Sequence, residues 1–226
     1  MIPPNSVQHV LNRGNRRAAI FHEDSDYERF TNILADAAER VPMRLLALCL
    51  MPNHWHLVVW VRSGDELPAY MQWLSSTHVQ QHQRKYGTRG TGHLYQARYR
   101  NFPVQQEAYL YSVLRYVEAN ARTANLVRRA EHWAWSSAIR KGSADGRALL
   151  SDWPLKRPHN WLDYVNKGIP KDELLRLRQS ARRGTPYGSD SWVNSVAQDC
   201  GLESTLVPVG RPAQIDVVEN SWTPID

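Results

Sequence analysis

The strongest constraint on this chain is how its apolar residues change spacing over the first 120 positions. Residues 7–12 read as a short strand, followed by a turn-like stretch at Asn12–Arg17. From Asp24 to Arg40, the residues Tyr27, Phe30, Ile33, Leu34, Ala37 and Val41 recur at three- and four-residue steps, which predicts a helix. Met43–Met51 and His54–Arg62 are apolar runs, and the Met-Pro-Asn link between them is short enough for an antiparallel hairpin. Asp65 then caps a second helix with the stripe Leu67, Tyr70, Met71, Leu74 and Val79. Pro68 falls in its first turn, where it does little harm, and Gly87 ends it. Leu94–Asn101 is expected as a further strand. Glu107–Asn120 is expected as a third helix, carrying Leu110, Val113, Leu114 and Val117. Strand, helix, strand, strand, helix, strand, helix predicts an α+β fold: a ferredoxin-like (RRM-like) antiparallel sheet with helices packed on it.

Past about residue 125 the texture changes. Gly142–Gly146 reads as a loop, and Trp133, Trp135, Trp153 and Trp161 punctuate irregular sequence as packing anchors. Short helices are expected at Lys171–Arg182 and Asp190–Cys200, the second ended by Gly201. The expected organisation is a core over 1–125 and a mostly helical and irregular C-terminal extension over 126–226 that packs on it. Cys49 and Cys200 are the only cysteines, which excludes a disulfide framework and disfavours a cysteine zinc site. No apolar run approaches the ~18 residues of a membrane span. The Pro3–Pro4 start lacks the apolar segment of a signal peptide. A soluble, cytoplasmic protein with no membrane partner is the expectation. The 28 Lys and Arg against 22 Asp and Glu leave a formal charge of +6, which suits a polyanionic partner without identifying it.

His54 and His56 flank Trp55 in a strongly β-prone run. Alternation puts both imidazoles on one face, about 7 Å apart, where both reach one divalent ion; Trp55, Leu57, Val59 and Val61 bury the other face. Ordinary sheet histidines are the competing reading. On the third helix, Tyr116 and Asn120 lie one turn apart at the edge of the apolar stripe, a position that suits groups working in a cleft. A tyrosine that merely keeps its hydroxyl in water is the alternative. His78 and His82, at i and i+4, read as surface imidazoles.

Met-Pro-Asn-His-Trp-His-Leu-Val-Val at 51–59, Gly-His-Leu-Tyr-Gln-Ala-Arg-Tyr-Arg at 92–100 and Tyr-Leu-Tyr-Ser-Val-Leu-Arg-Tyr-Val-Glu-Ala-Asn at 109–120 follow one another in order. This combination resembles the single-tyrosine HUH transposases, and within them the REP-associated branch found with repetitive extragenic palindromes in bacteria. The opening stretch from His9 to Arg16, Arg183-Gly-Thr-Pro-Tyr-Gly and Gly201-Leu-Glu-Ser-Thr-Leu are similar to that branch as well. The resemblance implies that His54, His56 and Asn120 hold a divalent metal, Mg²⁺ or Mn²⁺. It implies that Tyr116 is the catalytic nucleophile, forming a 5′-phosphotyrosine with single-stranded DNA folded into a hairpin, so that the protein is a site-specific endonuclease and strand transferase. Nucleoid association when bound to DNA follows. Family members usually continue Asn-Pro at the end of this helix; here Ala121 follows Asn120, so the helix is free to run on. Tyr95 stands where a Trp is common.

Arg84, Lys85, Arg89, Arg98 and Arg100 form an acid-free basic segment interleaved with Tyr86, His93, Tyr95 and Tyr99. Arginine for phosphates and tyrosine for base stacking is the composition of single-strand binding, and Tyr95 is counted among the DNA contacts. Arg13, Arg16 and Arg17 form a second patch. A third, Arg176, Arg178, Arg182 and Arg183, reads as readily as a solvated helix face. Two alternatives stay open: a domesticated hairpin-binding protein that does not cut, and a metallohydrolase of small substrates. A monomer is expected, with a dimer possible.

Overall fold

The computed structural model describes residues 2–139, 145–146 and 148–207. The expected loop at Gly142–Gly146 therefore lies mostly outside the described residues. Strands β1 (Ser6–Arg13), β2 (Arg44–Met51), β3 (His54–Val61) and β4 (Arg100–Val104) form one antiparallel sheet in the order β2-β3-β1-β4. Helices α1 (Asp24–Arg40) and α2 (Glu66–Tyr86) pack on one face, and α3 (Ala108–Glu118) packs on the other. The α+β reading holds.

Strand alternation explains the layering. Val10, Leu48, Leu50, Trp55, Leu57, Val59 and Val61 point toward α1 and α2 and meet Phe30, Ile33, Leu34, Met71 and Leu74. On the opposite face Val7, Ala47, Cys49, Val58, Phe102 and Val104 meet Leu110, Val113, Leu114 and Val117 of α3. A bulge between Leu45 and Ala47 in β2 switches the face that follows it. Residues after 125 complete the second layer. Helix α5 (Trp161–Asn166), which the sequence did not announce, drives Trp161 fully into the core, and its indole donates to the buried Glu118 carboxylate at 2.6 Å.

The extension also closes both rims of the sheet. Along β2, Leu50 N–H donates to the Trp135 carbonyl (2.9 Å) and Ser151 N–H to the Leu45 carbonyl (2.7 Å). The indoles of Trp133 and Trp153 donate to the Leu50 and Leu46 carbonyls, both at 2.8 Å. Along β4, Tyr187 N–H donates to Pro103 O and Gln105 N–H to Tyr187 O, both at 2.9 Å. The four tryptophans anchor the packing as expected, and two of them also satisfy an edge strand's carbonyls. Helices α6 (Lys171–Arg183) and α7 (Asp190–Cys200) lie where the sequence put them, each ended by a left-handed glycine, Gly184 and Gly201.

Two boundaries differ from the reading. The strand expected at Leu94–Asn101 forms instead at Arg100–Val104. Residues 94–96 pair only briefly with the end of β1, through Asn15 N–H to Leu94 O (2.8 Å) and Gln96 N–H to Arg13 O (2.9 Å). Pro103 hides the true strand from a sequence reading, because proline cannot donate to a ladder; it is tolerated here because β4 is a rim of the core sheet. The third helix stops at Glu118 and a separate turn, α4 (Asn120–Thr123), follows across Ala119 (φ −82°, ψ −2°). The helix breaks at this point although no proline is present. No described helix is long and apolar enough to cross a membrane.

Candidate active site

The site grows from the pleat of β3. His54 and His56 emerge together on the α3 face, their ring centres 5.0 Å apart, while Trp55 is fully buried on the opposite one. Helix α3 crosses this face and brings the Tyr116 ring to 5.7 Å from that of His56. The break at Ala119 lets Asn120 begin a new turn, and its carboxamide lies close enough to His54 and Tyr116 to influence the ionisation of both. His54, His56, Tyr116 and Asn120 thus line a single cleft of about 750 Å³.

Burial governs the electrostatics. It pushes the His54 pKa down to about 4, helped by the Arg13 charge and opposed by the neighbouring Asn120 amide. It pushes His56 well below its ordinary value, with His9, His54 and Arg13 adding to the effect. Both rings are therefore neutral at pH 7, the form in which imidazole donates a lone pair to a metal. Tyr116 is raised by burial, while Arg178, Asn120 and Arg13 pull it back toward ionisation.

The basic residues sort into those at the cleft and those away from it. Arg13, Arg17, Arg98 and Arg100 line it; Arg16, Arg84 and Arg89 are exposed but do not. Two assignments fail. Lys85 is held by Glu23 (2.5 Å) and Asp26 (2.6 Å), tying the end of α2 to the start of α1, so its charge is neutralised within the fold. Tyr95 is a core residue, only 7 % exposed: its hydroxyl accepts from the Trp55 indole (3.0 Å) and pairs with His78 Nδ1 (2.6 Å), leaving no face for a base. That contact also corrects the histidines, since His78 and His82 are buried rather than at the surface.

The sequence reading missed two contributions. Arg178 and Arg182 of α6 reach the cleft, so the extension supplies cations that had looked as readily like a solvated face. His9 on β1 is fully buried beneath the cleft, with its Nε2 2.9 Å from His56 Nδ1. The i, i+2 spacing gave no sign of it, because the partner lies 47 residues away.

The fold has a counterpart among solved structures. A solved REP-associated tyrosine transposase bound to a REP hairpin is similar at TM-score 0.52 and 16% identity, over 69% of this chain and 89% of that one. A Deinococcus radiodurans protein described as a transposase matches at TM-score 0.39 and 16% identity, over 53% of this chain and 88% of that one. At such identities the first likeness speaks for the fold, and the second is too distant to add to it. No curated protein matches the sequence. The family model for IS200-like transposases matches residues 4–120, which run from the strand under the histidine pair to the amide beside the tyrosine. By that match the chain belongs to the IS200-like transposase family.

Proposed function

We propose that this transposase is a metal-dependent, site-specific endonuclease and strand transferase of the REP-associated kind, with a single-stranded DNA hairpin as its partner. One observation carries the reading: a phenol, two neutral imidazoles and a carboxamide of one chain face one arginine-rich cleft.

The donor set fits a divalent cation. His54 Nδ1 is engaged by Asn53 Oδ1 (2.6 Å) and His56 Nδ1 by His9, which leaves Nε2 of each ring as the ligating atom. His54, His56 and Asn120 are the residues that would hold Mg²⁺ or Mn²⁺. All three are uncharged donors, so the ion's positive charge stays available to a phosphate. When bound, the ion polarises a phosphodiester and offsets charge as the phosphorus becomes five-coordinate.

The chain's own residues do the rest. Arg13, Arg17, Arg98, Arg100, Arg178 and Arg182 hold the strand by its phosphates. Tyr116 Oη attacks phosphorus, the P–O3′ bond breaks, and the proton shed by the phenol balances the one that O3′ takes up. The product is a 5′-phosphotyrosine and a free 3′-OH. A phenol with a pKa near 10 is a far better leaving group than an alcohol, so a 3′-OH reverses the step and joins strands without a nucleotide cofactor. Burial of Tyr116 keeps it protonated at rest.

The test is a denaturing gel of protein, Mn²⁺ and an end-labelled single-stranded hairpin. A covalent protein–DNA band is expected from the wild type, with none from Tyr116→Phe, which still binds the hairpin. Binding by the wild type without any covalent band would instead support a domesticated hairpin-binding protein.

A further inference from the structure

His9 is fully buried in β1, opposite Val58 of β3, with no surface of its own open to solvent. Its ring stacks on His56 (centres 5.0 Å apart, 28° between planes) and packs against Phe102 at 4.7 Å. Its Nε2 meets His56 Nδ1 at 2.9 Å, while its Nδ1 is buried without a partner among the described residues. An unpaired buried nitrogen is destabilising, and packing alone would be served better by an apolar side chain of the same volume. The ring therefore has something to do for His56.

The neighbouring ligand shows what that is. Asn53 Nδ2 donates to the Arg17 carbonyl (3.1 Å), which orients the amide so that Oδ1 faces His54. An amide oxygen only accepts, so His54 Nδ1 carries the proton and its Nε2 keeps the lone pair. His56 has no such one-way partner. An imidazole facing it both donates and accepts, and only if His9 accepts does His56 Nε2 hold the lone pair a metal needs. We propose that His9 is a positioning residue whose Nε2 accepts the Nδ1 proton of His56, fixing the tautomer and ring orientation in which His56 ligates the cation. This rests on the metal reading above.

The test compares full-length wild type, His9→Gln, whose amide oxygen can take the place of Nε2 as acceptor, and His9→Met, which fills the space without one. Mn²⁺ binding is read from the electron paramagnetic resonance signal of the free ion. The tautomer of His56 is read from long-range ¹H–¹⁵N spectra of the metal-free protein. Loss of an outer partner typically weakens a metal site about 10–100-fold, so His9→Met should raise the Mn²⁺ dissociation constant by that factor. His9→Gln should stay within about threefold of wild type, and both variants should bind the hairpin normally in EDTA. His56 should be protonated on Nδ1 in the wild type and His9→Gln. Unchanged Mn²⁺ affinity in His9→Met overturns the proposal, as does equal loss in both variants, which marks a packing role. If His9→Met does not fold, the wild-type tautomer decides, and a proton on His56 Nε2 overturns it. A wild type that takes up no Mn²⁺ sinks the metal reading itself, and is thereby distinguishable from failure of His9 alone.

Discussion

Asp26 is the residue that takes Lys85 out of reach of a phosphate. Burial alone would raise its pKa, but Lys85, the Tyr86 hydroxyl (2.6 Å) and the backbone N–H of His22 (2.8 Å) and Glu23 together hold it well below the usual carboxylate range. A carboxylate depressed in the folded state stabilises above its unfolded value of about 3.9, and that stabilisation is lost as the pH falls from about 5 through the unfolded value toward the folded one. Asp26→Asn should cost about 2 kcal/mol at pH 7, the worth of charge-assisted hydrogen bonds, and lower the melting temperature by several degrees. Melting curves from pH 7 to 3 should show the gap to wild type closing in acid; a gap independent of pH contradicts the assignment. The local sequence around Lys85 holds no acid, because its acidic partners lie about 60 residues earlier, where no local reading finds them. Tyr95 misled for a related reason: an aromatic ring in a basic segment has the same letter whether it awaits a base or fills a core. The shared face of His54 and His56 was legible because a strand's period is two, so the strand alone is enough to bring them together.

At the level of elements, the layout of the core was written in apolar spacing, and the exceptions have identifiable causes. Pro103 concealed β4, and Ala119 breaks α3 without any residue that marks a break. Helix α6 is the instructive case. Its ends are legible to within one residue, but whether Arg178 and Arg182 face water or the cleft depends on where the helix docks, and periodicity does not encode docking. If α6 grips the strand's phosphates, the double variant Arg178→Ala with Arg182→Ala should weaken hairpin binding. It should also reduce the slope of log affinity against log salt by about 1–2, at roughly 0.7–0.9 per lost phosphate contact. Fluorescence anisotropy at several salt concentrations measures both. An unchanged slope would return α6 to a solvated helix. Arg16→Glu, exposed but outside the cleft lining, is the natural comparison.

Across the whole molecule, the extension does more than cover the second face of the sheet. It occupies the rim beside β2 through Trp133, Trp135, Ser151 and Trp153 and the rim beside β4 through Tyr187. Rims partly occupied in this way leave less of a ladder for a second copy to add to. The phenol, imidazoles and carboxamide already converge within one chain. We expect light scattering to report a single chain of about 26 kDa, the mass of one copy; a stable dimer at micromolar concentration contradicts this. There is a kinetic corollary. If one copy both holds and cuts the hairpin, initial cleavage velocity should climb in simple proportion to protein supplied, first order even at the scarcest doses, so that a handful of molecules in a cell would already be competent.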